Sequence, residues 1–290
     1  MFDYRYHALS LAAVLLALAV GVLIGVAIGD SNLVSSAKSG IVSDLSSEVD
    51  GARRQAGELQ EKLAGEESFA NGLYPLAVHD LLHGRSIGVV FLGASSNKVD
   101  GLVRAAVTQA GGEVSIVATV REPLDLQSIS HEAAGTHYAG LARSPALIER
   151  FGKLAGRQLV SGGQAVDREL LSRVRSGLLS AFDGQLGRLE GLVVVRTDPT
   201  GMSAEQSTAT AAFQTGLSSG VAAVGVPAVG VELSATEPSQ ISWYKSRSIS
   251  SVDDLDAPAG QAALAYALAG AHGAFGVKPT ADSLLPSAVP

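Results

Sequence analysis

His79 and His83 stand four residues apart. On a helix that spacing puts both imidazoles on one face, where they can hold a divalent metal. Polar residues at helical spacing in a junction between segments explain the pair as well. His131 and His137, six apart in an irregular stretch, form a weaker pair. Asp253, Asp254 and Asp256 cluster ahead of Pro258. Hard cations such as calcium suit such carboxylates. Aspartates at a helix start also cap it and complement its dipole, which is the simpler reading. A soft-metal site asks for thiolate or thioether ligands at short spacing. The chain has no cysteine, and its two methionines are Met1 and Met202.

Chemistry on organic substrates has less to rest on. No G-x-G-x-x-G, Walker or G-x-S-x-G pattern occurs. Gly93 and Gly162-Gly163 are placed as phosphate-loop glycines would be, without the rest of the pattern. Ser95 and Ser96 follow a strand-like run and can cap the next helix, whose N-terminus can also take an anion. Arg196, Thr197 and Asp198 follow a later strand. Open α/β sheets keep ligands at the carboxyl ends of their strands. Gly93, Ser95, Ser96, Asn97, Arg196 and Asp198 are therefore the candidate ligand edge. No catalytic residue is assigned, so the chain reads as a non-enzyme without a resident cofactor.

Strand-like and helix-like runs alternate through the part of the chain that must position these residues. Ser86–Leu92, Glu113–Thr119 and Leu192–Arg196 read as buried strands. Ala222–Leu233 holds one or two more, interrupted by Pro227, and Ile249–Val252 is a further short one. Lys98–Ala110, Pro145–Leu154, Asp167–Ser176, Ser203–Leu217 and Pro258–Ala269 read as helices. Residues 121–143 are irregular or weakly helical. The alternation predicts an α/β domain over 71–276, a mostly parallel sheet with helices on both faces. Three prolines after Gly276 predict a disordered tail over 277–290.

Ahead of this domain, Ala8–Gly29 contains no charged residue. A helix of that length reaches about 33 Å, enough to span a bilayer core. Its apolar core is longer than that of a cleaved signal, and no A-x-A site follows, so a retained anchor over 8–29 is expected. Arg5 and His7 precede it, whereas Asp30 follows and the next cation is Lys38. That bias places residues 1–7 in the cytoplasm and the body outside it. Gly21, Gly25 and Gly29 recur every four residues, a face on which two anchors can pack. Over 30–70, Val42, Leu45, Val49, Ala52, Ala56, Leu59 and Leu63 alternate at spacings of three and four. That is a coiled-coil seam, weakened by its alanines and neighbouring glycines. A parallel coiled-coil stalk continuing a dimerising anchor is expected; a helix folded back on its own domain is the alternative. Gly72 and Pro75 end the pattern, with a short helical piece around Leu76–His83.

A 47% apolar composition supplies a core without disulfides. A net charge of −7 argues against a nucleic-acid partner. One tryptophan and few alternating runs leave no material for a membrane β-barrel. The partners expected are the membrane, a second copy of the chain and an envelope protein.

Arg5, His7 and the run from Ala8 to Gly25 resemble the opening of the actinobacterial MctB family, with one extra leucine in the apolar stretch. Ser251, Val252, Asp253, Asp256 and Gly260 resemble its closing S-V-D-x-x-D-x-x-x-G motif. The order of anchor, coiled-coil segment and α/β domain is also similar. The resemblance implies copper transport or homeostasis, with copper as cargo. It further implies either a pore-forming role or an envelope-partner role in division and wall remodelling. Three readings follow: a dimeric envelope scaffold, an oligomeric copper or small-solute transporter, and a degenerate enzyme-like domain that binds a ligand.

Overall fold

The computed structural model describes residues 4–29, 31–162 and 165–287, so Met1, Asp30 and Gly163 lie outside it. The chain divides into two compact units, residues 1–67 and 68–290. In the first, α1 (Tyr4–Ile28) is built from leucine, alanine and valine. Its Tyr6–Ala27 segment is long and apolar enough to cross a membrane, and none of it is buried in the protein. In lipid only a helix or a closed barrel satisfies every backbone amide, so such a sequence has little alternative. Beside Gly21 and Gly25 there is open space where a side chain would stand.

Helix α2 (Ser31–Ala77) spans 47 residues. It runs through Gly72 and Pro75, where the sequence predicts a break. A proline forfeits one amide and crowds the turn before it, but this one sits in the last turn, so the helix ends at Ala77. The seam residues Val42, Leu45, Val49, Leu59 and Leu63 are 41–59% exposed, and Ala52 and Ala56 are exposed too. The seam is an exposed apolar stripe on this helix.

The second unit is built on a seven-stranded sheet in the order β3-β2-β1-β4-β5-β6-β7. Its strands are β1 (Ser86–Leu92), β2 (Glu113–Val120), β3 (Leu179–Gly184), β4 (Gly191–Arg196), β5 (Ala228–Val231), β6 (Ser250–Val252) and β7 (Ala274–Phe275). All neighbours pair in parallel except β2 and β3. β1 lies between β2 and β4 with Leu92 opposite Arg196, so the order of strands reverses there. Alternate residues build two cores. Val90, Leu92, Leu192 and Val194 face one; Ile87, Val89, Phe91, Val193 and Val195 face the other. The first is covered by α4 (Leu126–Glu132), α5 (Pro145–Ser161), α6 (Ala165–Arg173), α7 (Arg175–Leu178), α8 (Ala204–Ala222) and α9 (Ile241–Lys245). The second is covered by α3 (Asn97–Gln109) and α10 (Pro258–Ala269). This is the predicted α/β architecture with helices on both faces.

Local signals set the helix ends. Ser96 caps α3, and Ser144 caps α5 with Pro145 in its first turn. Ser203 and Gln206 form a capping box on α8. α5 and α8 approach closely because each carries two glycines four apart. A Cβ on Gly216 or Gly220 would strike the carbonyl oxygens of Glu149 or Lys153. One on Gly152 or Gly156 would strike those of Phe213 or Leu217.

Several expectations need correction. α8 runs to Ala222, where a strand is predicted to begin, and α5 runs on to Ser161. β3, α9 and β7 are additional elements. Residues 277–287 are not a free tail. The Val277 and Lys278 amides donate to Asp253 at 2.8 and 3.1 Å, and Lys245 pairs with Asp282 at 2.7 Å. Proline-rich chain stays ordered here because fixed partners supply what its own backbone cannot.

Candidate functional site at the carboxyl edge of the sheet

The six candidate ligand-edge residues lie at the carboxyl ends of β1 and β4, where the strand order reverses, but divide between two faces. A reversal opens a crevice above the sheet, because the following loops leave in opposite directions. β1 exits through Gly93 at a left-handed φ of 95°, a conformation that favours glycine. Ser95 and Asn97 are exposed, while the Ser96 hydroxyl accepts from the Val99 amide at 3.4 Å. These three line a cavity of about 210 Å³ with Asp100, Thr119 and Asp183.

Arg196 serves the opposite face. Its guanidinium donates to Gln240 Oε1 and, at 3.2 Å, to Asp198 Oδ1. It also lies 5.2 Å from the Trp243 ring centre. The Arg196 amide donates to the Tyr244 hydroxyl at 2.9 Å, and that hydroxyl lies 3.2 Å from the Val194 carbonyl. Tyr244 is fully buried with its ring against Gly230, where no Cβ would fit. Burial pushes its pKa up, with the Arg196 bond as a smaller opposing effect, so it remains a neutral phenol.

Behind Arg196 the polar groups are tied to one another. Gln240 links Arg196 to the buried Glu232, which accepts from the Gln240 amide at 2.5 Å and the Ser239 hydroxyl at 2.7 Å. Lys278 completes the charge balance, its Nζ 2.7 Å from Glu232 Oε1 and 2.7 Å from the Thr236 carbonyl. On the other side of Arg196, Gln214 donates to Glu122 Oε1 at 2.6 Å. Glu122 Oε2 is buried without a hydrogen-bond partner and would lie 3.5 Å from a Cβ on Gly93. Burial raises the Glu122 pKa; Gln214 and Arg196 oppose it.

The closing motif is an anchoring device in this structure. Asp253 accepts from residues 277 and 278. Asp256 takes the Ser234 amide and hydroxyl, both at 2.9 Å. Gly260 leaves room for the Asp254 carbonyl at the start of α10. Asp254 is buried and neither carboxylate oxygen meets a hydrogen-bond partner. Burial, then Asp253 and Asp256, push its pKa up to about 6.

The metal candidates are placed differently. α2 ends before His79, so His79 and His83 do not share a helix face as predicted. They flank Asp80 instead, with Nδ1 atoms 3.1 and 3.8 Å from its two oxygens, and all three are exposed. His131 and His137 are exposed, and His137 packs on Tyr138. Met202 Sδ lies 3.6 Å from the buried Thr210 hydroxyl, a packing role. Gly162 closes α5 in a left-handed conformation, and Gly163 lies outside the described residues. Among the described residues, no group of three or more His, Cys, Asp or Glu is arranged to hold a metal ion.

Glu122, Gln214, Glu232, Gln240, Trp243, Tyr244 and Lys278 are absent from the sequence-based candidates. They come from five separate segments and follow no local motif. Only Glu232, at the end of a predicted strand, carried a positional signal.

Comparison with known proteins accounts for both resembling stretches at once. Residues 1–286 match a family described as "Copper transport outer membrane protein, MctB". The chain is 28% identical to the copper transporter MctB of Mycobacterium tuberculosis over 295 residues, 92% of each chain, and equally to that of Mycobacterium bovis. A shorter match to the Mycobacterium leprae copper transporter MctB is 35% identical over 130 residues, 44% of this chain and 40% of that one. With nearly its whole length matched, from the apolar helix to the ordered C-terminal segment, the chain belongs to the MctB copper transport family.

Proposed function

We propose that this chain is a membrane-anchored envelope protein with its N-terminus in the cytoplasm and its α/β domain outside, dimerised through α1 and α2. It serves copper handling as a scaffold for a protein partner. The observation that carries this reading is the exposed seam of α2. Seven apolar residues at spacings of three and four lie along one side of the helix and are exposed. A helix with so polar a remainder gains little stability alone. A second copy in register buries the stripe, and the open faces of Gly21 and Gly25 let the anchors meet above or below it. The scaffold role is supported by a donor set without cysteine and with one described methionine, in which copper(I) finds few soft ligands.

Cysteine cross-linking in intact membranes tests the assembly directly, because the chain has no cysteine of its own. In a parallel, in-register pair, Leu45→Cys and Leu59→Cys face their own copies and form disulfide-linked dimers under mild oxidation. Glu61→Cys, on the outer side of the same helix, stays monomeric. Equal cross-linking at all three positions, or none at either seam position, contradicts the reading.

A further inference from the structure

Arg247 is a half-buried cation. Its guanidinium lies 4.0 Å from the Trp243 ring centre and donates to the Ser246 hydroxyl at 3.0 Å. Longer contacts of 3.4 Å reach the Trp243 carbonyl and the Thr215 hydroxyl. Its Nε is buried without an acceptor, and no carboxylate among the described residues pairs with it. Burial and the neighbouring positive charge of Arg196 both disfavour its charged form. A partly buried charge is ordinarily paired, because desolvation is otherwise uncompensated.

That arginine forms one wall of a cavity of about 240 Å³ at the amino ends of β4, β5 and β6. The interior is apolar core, including Leu192, Leu217 and Val221. Its rim carries His272 and Ser248, both exposed, and Ser248 holds a left-handed φ of 55°. The arrangement is a partly open, mainly apolar space with a cation at its side. A cavity of about 150 Å³ lined by aliphatic and aromatic side chains takes benzene. This one has room for an apolar group of roughly six to eight carbons.

We propose that the cavity binds a small organic anion with an apolar tail, its acid group set against Arg247 and its tail among Leu192, Leu217 and Val221. Such an anion comes either from solution as a free acid or from the membrane as part of an anionic lipid. The two share one chemistry and differ in how they compete.

The test is equilibrium binding of radiolabelled octanoate to the full-length chain in phosphatidylcholine nanodiscs, with empty discs as background. The expected result is saturable binding of one octanoate per chain. Arg247→Gln weakens it at least ten-fold, Arg247→Lys retains it, and octanol binds at least ten-fold more weakly than octanoate. Ser218→Phe fills the apolar side and abolishes binding while leaving Arg247 in place. Should that variant fail to fold, the Gln and Lys variants at Arg247 still decide. Discs containing phosphatidylglycerol identify the source. A loss of octanoate affinity there assigns the site to lipid, and an unchanged affinity assigns it to a free acid. No saturable binding above empty discs, equal binding of octanol, or full binding by Arg247→Gln overturns the proposal.

Discussion

Gln240 joins the carboxyl edge into one unit, with its side chain on Arg196 and its amide on Glu232. Lys278 then balances Glu232 from a segment the sequence marks as tail. Removing one member of a buried ion pair leaves the other uncompensated. Lys278→Met therefore destabilises the domain by about 3 kcal/mol, read as a fall in melting temperature. The double variant Glu232→Gln with Lys278→Met recovers a large part of that loss. Asp254 gives a prediction of opposite sign. Its folded pKa of about 6 lies above the ordinary 3.8. The proton it holds on folding contributes stability fully below about pH 4, and that contribution is lost as pH rises through 6. Asp254→Asn removes this titration, so the variant is more stable than the parent at pH 7.5, by about 2 kcal/mol, and level with it near pH 4. Melting curves at both pH values check this; an equal difference at both contradicts it. The sequence made Arg196 and Asp198 legible through their place after a strand. It did not make Glu122, Gln214 or Gln240 legible, because their meeting is set by tertiary packing alone.

Among the elements, α5 and α8 show how one spacing rule can be applied to one helix and missed in another. Gly152 and Gly156, and Gly216 and Gly220, repeat the four-residue glycine spacing that marks the anchor. Here the meeting of faces is visible, with each glycine seated against a backbone carbonyl of the other helix. Gly216→Ala has no room at the Glu149 carbonyl and forces the helices apart. The expected cost is about 3 kcal/mol, at the upper end of ordinary overpacking. Ala on Gly101, which has open space, is neutral or slightly stabilising. Thermal denaturation of the two variants side by side checks the contrast. The long buried strands β1, β2 and β4 were legible because continuous apolar runs have few other uses. β3 was not, since LSAFDG is mostly exposed at the sheet edge and carries a glycine and an aspartate. β7 has two residues, too few for any periodicity. The end of α8 was misplaced because small residues from Gly216 to Gly225 suit close helix packing and strands alike.

At the scale of the whole molecule, the apolar N-terminal helix and the α/β order were readable from composition and alternation, and the family match extends over both. Assembly is a different matter. A seam of seven residues shows that α2 has an apolar side, while the number of copies that cover it depends on geometry between chains. The family's copper transport name adds cargo to the question without locating it, since His79 and His83 meet at an exposed Asp80 rather than in an enclosed site. One measurement addresses both points: light scattering on the full-length chain, purified without chelator in a mild detergent, with copper determined on the same peak before and after titration with Cu(I) and Cu(II). A dimer with no stoichiometric, tightly held copper is the result predicted. A monomer, or a higher oligomer that retains copper in fixed ratio to the chain, would contradict the dimeric scaffold and favour a transport path through the assembly.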